Sequence, residues 1–204
     1  NPVAVGDCVT IDYVEGGADT YYITKVSQRR NYIIRRASNL SKESHIIAAN
    51  IDIAVLVATV AHPTTATTFI DRFLATAEAY GVTVALVFNK TDLLDEEWSE
   101  YLEAITYLYR SIGYKVLHCS AKRGDGIEAL RDYLQGKTAL FAGNSGVGKT
   151  TLLNILVPGI DAKTAAISDA HDTGMHTTTF SEMYDLPGGG AIIDTPGVRG
   201  FGTI

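Results

Sequence analysis

The run Gly143-Asn144-Ser145-Gly146-Val147-Gly148-Lys149-Thr150 holds the residues whose spacing most directly implies chemistry. It fits the pattern G-x-x-x-x-G-K-[ST], in which the backbone folds around phosphate. Glycines at 143, 146 and 148 can adopt positive φ and bring main-chain N–H groups close to an anion. Those groups form a nest, and the start of a following helix adds the positive end of its dipole. Lys149 would reach the β- and γ-phosphates as a point charge, and the Thr150 hydroxyl would ligate Mg²⁺. Thr151, the next residue, completes the expected nucleotide-binding set on this segment. The alternative is a glycine-rich turn that only caps a helix. The flanks favour the phosphate loop: 137–142 reads as a buried strand and 151–157 as an apolar helix.

Three shorter motifs follow predicted strands, at the strand ends where α/β sheets bind ligands. In Asn89-Lys90-Thr91-Asp92 the Asp92 carboxylate can accept from guanine N1–H and N2–H₂, donors that adenine lacks. Lys90 can lay its aliphatic stem on the base plane. A helix N-cap by Asp92 is the structural alternative. In Ser120-Ala121-Lys122 the Ala121 N–H can meet guanine O6, and Lys122 can cover the other face of the base. In Asp194-Thr195-Pro196-Gly197, Asp194 can hold Mg²⁺ through water and the Gly197 N–H can sense a γ-phosphate. Here the alternative is an ordinary strand-ending turn.

The elements that must position these groups alternate between strand and helix from residue 50 onward. Apolar runs at 51–59 and 82–88 read as strands buried on both faces. Residues 67–80 carry apolar positions at helical spacing, and 96–112 and 126–134 read as further helices around a strand at 115–119. A hairpin is predicted around Pro187-Gly188-Gly189-Gly190, between strands at 177–185 and 190–194. Residues 1–49 read instead as short β-strands at 7–13, 21–26 and 31–36. The expected fold class is α/β, a P-loop domain at 50–204 preceded by a small all-β, OB-like barrel at 1–49.

With 46% hydrophobic and 20% charged residues the chain is globular, not disordered. Two cysteines, Cys8 and Cys119, cannot build a disulfide framework, and no Cys/His cluster has zinc-ligand spacing. The cysteine usage favours a reducing, cytoplasmic compartment, and the longest apolar run is far short of the ~20 residues a membrane helix needs, so no membrane association is expected. Net charge is −6, but residues 1–49 hold six Lys/Arg against five Asp/Glu. Arg29, Arg30, Arg35 and Arg36 concentrate positive charge there, either as an RNA-phosphate contact or as a solvated strand edge.

Taken together these are GTPase motifs in rotated order, with the base-reading motifs first and the phosphate loop last. In that order, and with Ala48-Ala49-Asn50-Ile51-Asp52, Ile70-Asp71-Arg72-Phe73-Leu74, Gly174-Met175-His176-Thr177-Thr178-Thr179 and Asp194-Thr195-Pro196-Gly197-Val198-Arg199, the chain resembles the RsgA family, the circularly permuted GTPases of small ribosomal subunit assembly in bacteria. The resemblance implies a GTP-hydrolysing switch with GTP or GDP and Mg²⁺ bound. It also implies an OB-type RNA-binding unit at 1–49, lacking its first strands, and a switch I at 160–179. Thr177 or Thr178 would join Thr150 and Asp194 around Mg²⁺. Partners would be the small (30S) ribosomal subunit and its rRNA, with the protein itself a monomer. The family's zinc-binding domain would lie beyond switch II, so zinc is not expected within these residues.

Many GTPases place a Gln after the glycine of the γ-phosphate motif to orient the attacking water. Val198 stands there and can neither donate nor accept a hydrogen bond. His176, beside the Thr177–Thr179 run, is the alternative catalytic group. A P-loop ATPase is disfavoured by Asp92. An RNA-binding module gated by nucleotide, with negligible hydrolysis, is kept open by Val198.

Overall fold

Ile53-Ala54-Val55-Leu56-Val57-Ala58 has no polar residue to face water, so a strand formed from it must be covered on both sides. In the computed structural model, which describes residues 3–13, 20–36, 44–160 and 181–195, it is a fully buried strand. Ala54, Leu56 and Ala58 enter one core and Ile53, Val55 and Val57 the other, as the two-residue period of a strand requires.

The described elements are β1 (Val9–Tyr13), β2 (Tyr21–Val26), β3 (Tyr32–Arg36), β4 (Ser44–Ala49), β5 (Ile53–Ala58), α1 (Thr67–Ala79) and β6 (Val84–Phe88). They continue with α2 (Glu96–Ser111), β7 (Lys115–His118), α3 (Ile127–Leu134), β8 (Thr138–Gly143), α4 (Lys149–Leu156), β9 (Glu182–Asp185) and β10 (Ala191–Asp194). Six strands form one sheet in the order β7-β6-β5-β8-β10-β9. All its pairings are parallel except β9 with β10, the expected antiparallel pair. Phe73 and Leu74 of α1 and Ile105 and Tyr109 of α2 close one face, while Leu130 and Leu134 of α3 and Leu152 and Leu156 of α4 close the other. Among the described residues no helix is long and apolar enough to cross a membrane.

The sequence reading needs one correction here. It has no strand between 36 and 50, yet β4 pairs antiparallel with β3. The run Ser44-His45-Ile46-Ile47-Ala48-Ala49 neither alternates nor favours strand at its alanines, so its partner supplies the order. β1 and β2 form a second antiparallel pair, and neither pair is hydrogen-bonded to the other among the described residues. These four strands agree with a partial OB-like unit.

The β3–β4 pair is fastened to the α/β sheet by side chains at the join. Ile33 and Ala48 are wholly buried in the same core as Ile51 and Ala54. The Asn31 amide donates to Ile51 O at 2.7 Å and accepts from Ile51 N at 2.8 Å. Asp52 accepts from Arg30 Nη2 at 2.8 Å with one oxygen and from Thr138 N at 2.8 Å with the other. The join at 49–50 is therefore part of the core. Replacing Ile33 by Ala should lower stability by about 2–5 kcal/mol. Denaturant unfolding should keep a single transition; an early separate transition of the N-terminal strands would show that the two parts unfold independently.

Candidate nucleotide-binding site

The ends of β5, β6, β7, β8 and β10 lie on one edge of the parallel sheet, and the described residues of the four motifs stand at these strand ends, on the loops leaving them or in the first turn of α4. At the end of β8 the chain turns sharply. A Cβ on Gly143 would stand 2.5 Å from Val57 O, so only glycine lets the two backbones approach this closely. Gly148 has φ +87°, and a Cβ there would sit 2.4 Å from the Asn89 amide nitrogen. Val147 between them is fully buried and anchors the loop in the core. Helix α4 starts at Lys149, two residues earlier than the sequence pattern suggests, and no side chain caps it. Its first-turn N–H groups thus point into the loop, where an anion would satisfy them. Thr150 is half-buried and Thr151 exposed, while Asn144 and Ser145 line the turn, half-buried and exposed in that order.

Asn89 is the residue that joins the motifs. It is 3% exposed at the end of β6. Its amide donates to Val147 O at 2.9 Å, and its carbonyl accepts from Ala121 N at 3.0 Å. Asn89, expected among the nucleotide-binding residues, braces the 143–148 loop against the 120–122 loop. The Ala121 N–H, expected to face a base carbonyl, donates to Asn89. Thr91 is likewise committed to protein, its hydroxyl donating to Cys119 O at 3.1 Å.

Asp92 lies in a short 3₁₀ turn, Thr91–Leu93, and accepts from the Ser120 hydroxyl at 2.6 Å. Ser120 Oγ in turn accepts from Arg123 N at 3.0 Å. The Ser120 hydrogen bond holds the Asp92 carboxyl below its ordinary range, with Arg123 and Lys122 adding in the same direction. Asp92 is not a helix cap: Asp95 caps α2, accepting from Trp98 N at 2.9 Å. Lys90 has φ +64° and its ammonium donates to His62 O at 2.7 Å. Lys122 is exposed.

At the other end Lys149 is ion-paired with Asp194 at the tip of β10, and both side chains are largely buried. A lysine and a carboxylate held together beside an uncapped helix start suit a phosphate and a hard cation, which would take over both partners. His176, Thr177, Thr178 and Gly197 lie outside the described residues, as does Val198. Sequence reasoning missed the loop between β5 and α1. Its His62 carbonyl holds Lys90, and the Pro63 ring would lie 3.5 Å from a Cβ on Gly146. Pro63 following a predicted strand is the signal that could have pointed there.

Residues 26–204 match the family model described as RsgA GTPase. The chain belongs to this family. The rotated motif order is visible in the sheet: the 89–92 and 120–122 motifs follow β6 and β7, and the 143–150 motif follows β8, whose neighbours are β5 and β10. Over 203 residues the chain is 58% identical to the small ribosomal subunit biogenesis GTPase RsgA of Bacteroides fragilis, covering 100% of this chain and 65% of that relative. Its namesake in Porphyromonas gingivalis is 56% identical over 207 residues, covering 100% of this chain and 66% of the relative. The chain thus spans about two thirds of the length of these curated RsgA proteins. Among solved structures, YjeQ from Thermotoga maritima is 36% identical with a TM-score of 0.75, covering 97% of this chain and 62% of its own. YloQ, described as a circularly permuted GTPase, is 27% identical with a TM-score of 0.69, covering 98% and 59%.

The arginines expected to meet RNA differ in their surroundings. Arg29 makes a two-point ion pair with Asp7, both contacts at 2.7 Å, and its side chain is 13% exposed. Its charge already serves the fold, and Asp7 is held below the usual carboxylate range chiefly by that bond. Arg30 is 63% exposed although it touches Asp52. Arg35 and Arg36 end β3, and their side chains lie outside the described set.

Asn89→Ala leaves Val147 O and Ala121 N without their partner, so stability should fall by about 2–4 kcal/mol in denaturant titration. Ser120→Ala should move the Asp92 titration upward toward the ordinary carboxylate range, as followed by carboxyl NMR shifts. Because the folded value is depressed, the stabilisation is complete at neutral pH. It is lost only as the pH falls below the ordinary carboxylate range and through the folded value.

Proposed function

We propose that the protein is a GTP-hydrolysing switch that binds the small ribosomal subunit in the cytoplasm and assists its maturation. The observation that carries this reading is the convergence of three parts on one sheet edge. These are the 143–150 loop, the Asp92–Ser120 pair and the Lys149–Asp194 pair, with Asn89 bracing the first two. The relatives' names, small ribosomal subunit biogenesis GTPase, support the choice of partner.

Each residue has a distinct task. Asp92 accepts from the two guanine donors, and its ionised form at neutral pH keeps it an acceptor only. Lys90, held by His62 O, and Lys122 cover the base faces. The N–H groups of 143–148 and of the first turn of α4 hold the phosphates, and Lys149 neutralises their charge. Thr150, Asp194 through water, and Thr177 or Thr178 would hold Mg²⁺. When bound, that ion offsets charge on the β- and γ-phosphate oxygens. The Gly197 N–H would sense the γ-phosphate. Val198 cannot orient water, so His176 takes that role as a neutral imidazole on the subunit. Residues 1–49 form the RNA-binding unit, with Arg30, Arg35 and Arg36 against phosphates, and the protein acts as a monomer.

Val198 also favours a second reading, in which nucleotide gates RNA binding with negligible hydrolysis. Steady-state GTP turnover with and without small subunits separates the two. The switch reading expects slow intrinsic turnover and strong stimulation by subunits; no stimulation supports the gated module. His176→Ala should leave GTP affinity intact and remove most of the stimulated rate. Asp92→Asn should weaken GDP by roughly 1.5–3 kcal/mol for each charged hydrogen bond lost and strengthen binding of the xanthosine nucleotide. Unchanged GDP binding in that variant would remove Asp92 from the base site. Reversing Arg30 and Arg36 together should flatten the salt dependence of subunit binding by just under ~1 slope unit per charge and leave nucleotide affinity alone.

A further inference from the structure

Two buried side-chain polar atoms lack a hydrogen-bond partner among the described residues, Arg131 Nε and Thr195 Oγ1. The first has an evident reason: it lies 3.6 Å from Glu128 Oε1, and Arg131 Nη2 donates to Ile155 O at 2.6 Å. Thr195 has no such compensation. It is 3% exposed and directly follows Asp194, the residue whose carboxylate is paired with Lys149. A buried hydroxyl without a partner is worse than a methyl group of the same shape, because it has lost water and gained nothing. Valine would fill this position at lower cost if filling were all it required.

We propose that Thr195 is a specificity-determining residue that discriminates between nucleoside tri- and diphosphate. Its hydroxyl is unpaired while Lys149 and Asp194 pair with each other. It gains an oxygen partner when a triphosphate and its cation take over those two side chains. The partner is an oxygen brought by the triphosphate–Mg²⁺ unit, either a phosphate oxygen or a metal-bound water. The cost of the unpaired hydroxyl burdens one arrangement and is absent from the other. It therefore adds directly to the preference for triphosphate, since a ligand shifts an equilibrium only by its differential affinity. This rests on the guanine-nucleotide reading given above.

Thr195→Val keeps the shape and removes the hydroxyl. Three measurements on the chain test the proposal: melting of the nucleotide-free protein, and titrations with GDP and with a non-hydrolysable GTP analogue plus Mg²⁺. The variant should melt at the parent's temperature or a few degrees above it. GDP affinity should be unchanged, while the analogue should bind about fivefold or more weakly. Thr195→Ser, which retains the hydroxyl, should restore the parent's ratio of analogue to GDP affinity. A variant that melts several degrees lower and loses both nucleotides equally would make the hydroxyl a structural group and overturn the proposal. An unchanged ratio would overturn it too. A parent that binds neither nucleotide would instead overturn the functional reading on which the proposal depends.

Discussion

One carboxamide holds the two ends of the site in register. Asn89 offers a donor and an acceptor on a short side chain with little freedom, and both are used on backbone atoms of other loops. Aspartate would lose the donor and alanine would lose both, leaving Val147 O or Ala121 N without its partner. The close approach also explains Gly148, since any side chain there would collide with the Asn89 amide. The spacing between the 120–122 loop and the 143–148 loop is thus set by hydrogen-bond lengths, and the sheet needs only to deliver three strand ends to one edge.

That requirement explains why the motif order can be rotated. What matters is which strands are neighbours: β8 lies between β5 and β10, and β6 and β7 continue the sheet beyond β5. Parallel strands that are buried on both faces do not record where the chain begins. Joining the N-terminal β unit ahead of β5 leaves every neighbour in place. The unit is secured by Ile33 in the core and by Asp52, which bridges Arg30 to the start of β8.

The sheet was legible wherever strands are continuously apolar, as at 53–58 and 84–88, because doubly buried strands need no alternation to be recognised. The turn at 143–148 was legible from its glycines, whose backbone demands are local. β4 was not, because its alanines gain their order from pairing with β3. Nor was the role of Asn89, whose partners are 58 and 32 residues away. The pairing of Arg29 with Asp7 across 22 residues was hidden for the same reason. Local residue type showed which groups could do chemistry. Contacts distant in sequence decided which of those groups the fold uses for itself.

The central claim is that the loops after β6, β7 and β8 form one guanine-nucleotide site, read at the base by Asp92. Calorimetric titration of the chain with GDP and with ADP under identical Mg²⁺ and salt tests it most directly. A carboxylate that accepts from two guanine donors requires GDP to bind at least about a hundredfold more tightly than ADP. Equal affinities would mean that the phosphate loop binds without base reading, and would contradict the account.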